Sequence, residues 1–309
     1  MRIGQPTPTT TKFIWIDKMT PSGWIILDKD SGLFSRTAGG RIARMLGTKK
    51  FGHIGTLDPM ATGVLPIAIG DATKMIPFVQ DANPHIKEYL FSCKFGFETD
   101  TLDITGHEIN RNDIILSDEQ IIRALPDFIG NISQIPPMYS AVHVDGARAH
   151  ELARHNKIVE IPPRSVEIYE LEYLGVRDGS WHFRMRCSTG TYVRSVARDI
   201  AKKYGAFATV DMIRRTSANG FDIKNAVKLD FLEKVFNNSG SFGSNLKPVD
   251  FGLGDIPVLN LYDKDAEFYK NGGFIKTDVA NGLYRIYTDD LFIGIGAVSE
   301  NMLHPKRTI

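Results

Sequence analysis

The sequence offers little to redox, metal or group-transfer chemistry. It has only two cysteines in 309 residues, Cys93 and Cys187. That excludes a disulfide framework and a four-cysteine metal site, and both thiols are expected to be small buried apolar residues in a reducing compartment. There is no P-loop and no dinucleotide-binding fingerprint. No apolar run approaches the length of a membrane helix, and residues 1–18 lack the apolar core of a signal peptide, so the expected setting is cytoplasmic. Net charge is almost absent as well, at +1 from 37 basic and 36 acidic residues, and gives no hint of a nucleic-acid partner. Its distribution says more. Residues 36–50 carry Arg36, Arg41, Arg44, Lys49 and Lys50 with no acid, and residues 194–215 carry Arg194, Arg198, Lys202, Lys203, Arg214 and Arg215 against Asp199 and Asp211. Each cluster alone is compatible with a solvated helix face; together, flanking one site, they would make a phosphate-binding surface.

What is present is concentrated in residues 51–74, FGHIGTLDPMATGVLPIAIGDATK. Glycine opens backbone conformations closed to other residues and proline fixes φ, so this density describes a shaped, rigid loop around Asp58. The residues alone leave open a plain turn in which Asp58 caps its own backbone. The apolar run 64–69, bracketed by Gly63 and Gly70, reads as a buried strand that would hold the loop.

Further along, Gly23–Lys29 reads as a short strand and 36–47 as a helix with Ile42, Met45 and Leu46 inward. A short helix is expected to begin over 74–80. Residues 87–97 alternate, placing Tyr89, Phe91, Cys93, Phe95 and Phe97 on one strand face. Ser117 and Gln120 form a capping-box signature before a helix ending near Ala124 and Pro126. A helix is read over 147–155. Its histidines, His150 and His155, are five apart and so fall about 140° around a helix, which rules out a zinc-helix spacing. Residues 164–174 and 181–187 read as a strand pair, followed by a helix whose buried stripe is Val193, Val196, Ala197, Ile200, Ala201 and Tyr204. Residues 236–245, FNNSGSFGSN, read as a flexible linker, and 257–309 as a small β domain.

GHIGTLDPMATGVLPIAIGDATK, the KEY of 87–89, CSTGTYVR at 187–194 and IRRTSANGF at 213–221 resemble, in family order, the motifs of the TruB family of tRNA pseudouridine synthases. A PUA-type RNA-binding module is similar to the C-terminal segment. One departure is Asp30, where the family's first loop has proline after Asp28-Lys29. The resemblance implies an α+β pseudouridine synthase fold: a central mixed, largely antiparallel sheet flanked by helices, plus a small C-terminal PUA-like β domain. The division it suggests is an extension over 1–20, a catalytic domain over 21–235 with an RNA-gripping insertion near 134–163, a linker over 236–256 and the PUA-like domain over 257–309. It further implies Asp58 as the essential carboxylate, Arg194 as its partner and Tyr89 stacking on the target base. Substrate contacts are implied for His53, Tyr192, Gly55, Thr56, Leu57, Lys29, Arg214 and Arg215. On the residues alone, Tyr89 reads as core and the last two arginines as phosphate contacts or solvated side chains.

The implied reaction isomerises uridine 55 in the TΨC arm of tRNA. It breaks a carbon–nitrogen glycosidic bond and rejoins the base through carbon, so no metal, cofactor or group donor is needed. The carboxylate must be ionised; burial opposes that, and a nearby arginine restores it. The expected partner is tRNA alone, with no membrane, no obligate protein partner and a monomeric enzyme. An RNA-guided relative and a tRNA-binding chaperone are the alternatives.

Overall fold

In the computed structural model residues 21–83, 85–140, 142–144, 147–148 and 160–309 are described. The expected extension over 1–20 and the histidine segment 149–155 lie outside them. Two runs that are apolar on both faces become strands buried on both faces: β1 (Gly23–Lys29) and β3 (Thr62–Ile69), with short β2 (Phe51–His53) between them. The chain continues through β4 (Ile86–Phe95) and a hairpin of β5 (Phe97–Thr99) and β6 (Glu108–Arg111). Then come β7 (Gly130–Gln134), a two-residue hairpin of β8 (His143–Val144) and β9 (Ala147–Arg148), and the long pair β10 (Arg164–Arg177) and β11 (Ser180–Ser188). β12 (Ala208–Ala218) and β13 (Phe221–Asp222) complete the first half.

These build one sheet ordered β1-β3-β12-β4-β11-β10-β7, with β2 and β13 at its margins. Every pairing is antiparallel except β3 with β12, where Arg214 and Arg215 lie beside Thr62 and Gly63. Gly63, at φ +101°, permits that seam: a Cβ there would come to 2.1 Å from the Arg215 carbonyl oxygen. Helices Ser35–Met45 and Val193–Lys202 cover one face, and their inward residues Ile42, Val196, Ala197 and Ile200 join Leu27, Ile67, Phe91, Phe183 and Met185 in the main core. The capping box at Ser117 is present, with reciprocal bonds to Gln120, and starts the helix Asp118–Ala124. Cys93 and Cys187 are buried free thiols.

Three expectations need correction. The alternation from 87 stops at Phe95, because Gly96 takes φ +99° and Phe97 opens a new strand. Ala147 and Arg148 begin no helix; they pair with Val144 and His143. The polar stretch 236–245 is no flexible linker. It contains the end of helix Leu229–Ser239, and its two aromatics, Phe236 and Phe242, meet at 5.4 Å with Phe242 1 % exposed. Aromatic burial outweighs the polar composition around it.

The C-terminal sheet comprises β14 (Val258–Asn260), β15 (Ile275–Lys276), β16 (Gly282–Thr288), β17 (Leu291–Ser299) and β18 (Met302–Thr308), ordered β14-β16-β17-β18-β15. It is not a free appendage. Phe292 and Ile295 of β17 share a core with Trp24, Ile26, Val64, Ala68, Met75 and Phe221 from the far side of the large sheet. Residues 246–256 run into the same core: Trp24 exchanges two backbone hydrogen bonds with Lys247, its indole donates to the Val249 carbonyl, and Leu253 and Ile256 are buried. Truncating the fully buried indole, Trp24→Ala, is expected to cost about 3–5 kcal/mol in urea unfolding. Removing 257–309 is expected to lower the melting temperature of what remains and expose apolar surface. A truncated chain that melts with the full-length protein would contradict the shared core.

Candidate active site

The GTLDP loop has little freedom, because separate elements grip its backbone in turn. Gly55, at φ +69°, offers its carbonyl to Arg215 Nη2 at 2.7 Å. Ser35, at the start of its helix, accepts from the Leu57 amide at 3.0 Å and donates to the Leu57 carbonyl at 3.1 Å. The Pro59 carbonyl receives Lys29 Nζ at 3.0 Å and the Gly32 amide at 2.8 Å. Leu57 itself is 4 % exposed and packs in the main core. Asp58 therefore projects from a backbone fixed on either side.

Its carboxylate meets Arg194 Nε at 2.9 Å; the Asp58 side chain is 36 % exposed and that of Arg194 only 3 %. Arg194 stands in the first turn of its helix, where a cation faces the positive end of the macrodipole at a cost of about 0.3–1 kcal/mol. Its other nitrogens are held too: Nη1 donates to the Thr101 carbonyl at 2.7 Å and Nη2 to the Tyr139 carbonyl at 3.0 Å. A second carboxylate, Asp103, lies 3.8 Å from Nη1 and is almost fully buried. It accepts from the Thr101 hydroxyl and from the amide and hydroxyl of Thr105. Burial raises the Asp58 pKa above the ordinary carboxylate value; Arg194 and Lys29 oppose this, while Asp103 adds to it. The arginine thus offsets burial without cancelling it.

Tyr89, Tyr192 and Lys29 lie close enough to Asp58 to interact with its charge, and His53 lies beside Thr56 of the same loop. Tyr89 is 7 % exposed on β4, and its phenol feels Asp58. Tyr192 is fixed through its backbone by Gln134, which accepts from its amide and donates to its carbonyl. His53 Nε2 lies 3.1 Å from the Thr56 hydroxyl, and burial, Arg215 and Arg36 together lower its pKa, favouring neutral imidazole. Lys29 is fully buried and donates to the carbonyls of Asp30, Leu33 and Pro59, so it ties the first loop to the GTLDP loop.

Arg214 and Arg215 are both held by protein groups, and only Arg215 is fully withdrawn from solvent. Adjacent strand residues face opposite ways. Arg214 makes a bidentate pair with Asp28, 3.0 Å on each branch, and Arg215 is fully buried against the carbonyls of Val64 and Gly55. Sequence reasoning missed Asp103, Ser35 and Gln134. For Asp103 the threonine-rich turn TDTLDITG, with Leu102 at φ +62°, is the one local signal.

Solved structures with this fold include one titled "Crystal Structure of a Cbf5-Nop10-Gar1 Complex", with TM-score 0.65, 23 % identity and coverage of 93 % of this chain and 84 % of that one. Another, of an H/ACA RNP bound to a substrate RNA containing 2'-deoxyuridine, gives TM-score 0.64 at 21 % identity over the same shares. At such identities the likeness is one of fold, and the class it defines is the pseudouridine synthase fold. The sequence narrows this. The pattern of the TruB family pseudouridylate synthase N-terminal domain matches residues 43–193, and that of the pseudouridine synthase II TruB C-terminal domain matches 257–309. A protein of Caulobacter vibrioides named tRNA pseudouridine synthase B is 44 % identical, over 79 % of this chain and 78 % of its own. Proteins of the same name from Stutzerimonas stutzeri and Ehrlichia chaffeensis are each 38 % identical, over 93 % and 92 % of this chain and 95 % and 98 % of their own. The chain belongs to the TruB family of pseudouridylate synthases.

Two outcomes follow from the geometry. Asp103→Asn removes a charge that raises the Asp58 pKa, so the acid limb of the pH–rate profile is expected to move to lower pH; an unmoved limb would contradict the coupling. Arg214→Ala is expected to cost about 1–3 kcal/mol in urea unfolding while leaving the salt dependence of RNA binding unchanged. A slope reduced by one phosphate contact would contradict the Asp28 pairing as its role.

Proposed function

We propose that this enzyme isomerises uridine 55 in the TΨC arm of tRNA to pseudouridine, with Asp58 as the catalytic carboxylate. The observation that carries the reading is the Asp58–Arg194 pair: a carboxylate on a clamped loop, anchored on one oxygen by a buried guanidinium and partly open beside it. Relatives that span nearly the whole chain and are named tRNA pseudouridine synthase B supply the substrate class.

A uridine stacked in a folded arm must leave the stack to reach this carboxylate, at a cost of a few kcal/mol. Tyr89 under the flipped base and His53 beside the displaced nucleotides offset part of that cost. Asp58, ionised and oriented by Arg194, then acts at the ribose–base junction. The glycosidic nitrogen bond breaks, the base turns, and carbon takes the nitrogen's place. The C5 proton leaves and N1 gains one, so the product is an isomer of the substrate. The residues 257–309 act as an RNA-binding unit, and the enzyme works on free tRNA in the cytoplasm as a monomer.

The test is purified protein with unmodified tRNA transcript and no added cofactor, mapping pseudouridine by site. Wild type is expected to modify the single TΨC-arm uridine. Asp58→Asn, which removes charge but little volume, is expected to bind tRNA normally and lose more than about 10³-fold in rate, about 4 kcal/mol of transition-state stabilisation. Tight binding without product from wild type would point instead to a guide-dependent enzyme or a chaperone.

A further inference from the structure

Arg194 reaches Asp58 from a short ring of chain that closes on itself. Two residues before it, the backbone of Tyr192 is bound twice by one side chain, that of Gln134. The carboxamide oxygen accepts from the Tyr192 amide at 2.8 Å, and the carboxamide nitrogen donates to the Tyr192 carbonyl at 3.2 Å. Gln134 is 1 % exposed. It does for Tyr192 what a neighbouring strand would do, at a point where helix Val193–Lys202 begins without a side-chain cap.

From Gln134 the chain runs through Ile135, Pro136, Pro137 and Met138 to Tyr139, and there it returns to the same arginine: the Tyr139 carbonyl accepts from Arg194 Nη2 at 3.0 Å. The two prolines fix φ and restrict the residue before them, so this strap has little freedom. The helix grips it a second time, because the Ile135 carbonyl accepts from the Ser195 hydroxyl at 2.8 Å and from Arg198 Nη2 at 3.0 Å. Met138 and Tyr192 also pack on one small cluster with Val142 and Ile161. Strap and helix start are one unit, and its root is in the sheet: Gln134 ends β7, opposite Arg164 of β10.

Arg194 is the group that such a unit serves. Its two links to β7 run forward through the Tyr139 carbonyl and back through the Tyr192 backbone, and both pass through Gln134. A carboxamide buried this deeply, with both of its polar atoms spent on one residue, fixes that residue along two directions at once. Without it the Tyr192 amide loses this acceptor, and the helix start keeps the strap only by the Ile135 and Tyr139 carbonyls.

We propose that Gln134, by closing this ring, sets the position from which Arg194 holds Asp58, and is thereby a positioning residue for the reaction. This deepens the functional reading above and rests on it. Gln134 touches no reacting atom; it acts through Arg194. The charge state of Asp58 depends on the same ring. Burial and Asp103 raise its pKa, Arg194 and Lys29 lower it, and the phenols of Tyr89 and Tyr192 also feel its charge. A guanidinium that drifts from the carboxylate lowers that pKa less, so the folded value rises.

Gln134→Met keeps the volume and removes both hydrogen bonds. Gln134→Asn, neutral but too short to span both groups, takes its place if the methionine variant does not fold. Three quantities are measured: single-turnover rate at saturating enzyme across the acid limb, tRNA affinity, and the titration of the Asp58 carboxyl carbon resonance, assigned by its loss in Asp58→Asn. The rate is expected to fall about tenfold or more with affinity changed by less than about threefold. The acid limb and the carboxyl titration are both expected to move to higher pH by about half a unit or more, opposite to the effect of Asp103→Asn. A loss of stability alone lowers the amount of folded enzyme and moves neither curve. In an Arg194→Lys background, Gln134→Met is expected to add little further loss, because residues that act as a unit are not additive. Unmoved curves in a folded variant, or losses that multiply fully with those of Arg194→Lys, would overturn the proposal. A wild-type protein that forms no pseudouridine would overturn the functional reading, while the carbon titration would still decide whether Gln134 sets the pair.

Discussion

One guanidinium, that of Arg194, decides where the Asp58 carboxylate can be and in what state. It reaches the carboxylate at 2.9 Å while its remaining nitrogens are held by the carbonyls of Thr101 and Tyr139 and faced by Asp103. The surrounding fold serves this placement. The buried stripe of helix Val193–Lys202 seats the arginine, Gln134 fixes the residue before it, and Ser35, Lys29 and Arg215 hold the loop that presents Asp58. Since burial raises the pKa of the carboxylate and the guanidinium opposes that rise, the pair is also an electrostatic constraint.

The same economy governs the other charged groups of the seam between β3 and β12. Arg214 is spent on Asp28, which is also reached by Lys228, and these opposite charges outweigh burial to lower the Asp28 pKa. That contribution to stability is present above pH 3.8, the ordinary value, and fades as the solution is acidified through the lower folded value. Lys87 and Arg215 run the other way, as cations with no carboxylate partner among the described residues. A lysine whose pKa falls from 10.5 to about 8 on folding binds fewer protons than the unfolded chain between those values. Its burial cost therefore shrinks as pH rises through that window. Adjacent strand residues, pointing to opposite faces, carry out opposite tasks.

Much of this was legible in the sequence. The GTLDP loop, the strand behind it, the alternation from Tyr89 to Phe95 and the stripe after Tyr192 are local patterns, and local patterns survive without a structure. Asp103 was hidden because its neighbour in space, Arg194, lies far along the chain. Arg215 was misread although strand alternation forbids both arginines of the IRRT run from facing water. The stretch 236–245 misled for a different reason: two phenylalanines among asparagine, serine and glycine are few by composition but enough to anchor a segment once they meet. The joint core beneath the C-terminal sheet was equally invisible, because Trp24 and Phe292 are brought together only by the fold.

The central claim is that a buried, multiply held guanidinium orients the carboxylate, beyond merely supplying charge. Arg194→Lys keeps the charge and removes the planar fork. Single-turnover rate and tRNA affinity measured on this variant test it most directly. The account predicts a rate reduced by about 10²-fold or more with affinity changed by less than about threefold, as expected for lost positioning in the transition state. A variant that turns over at the wild-type rate would contradict it.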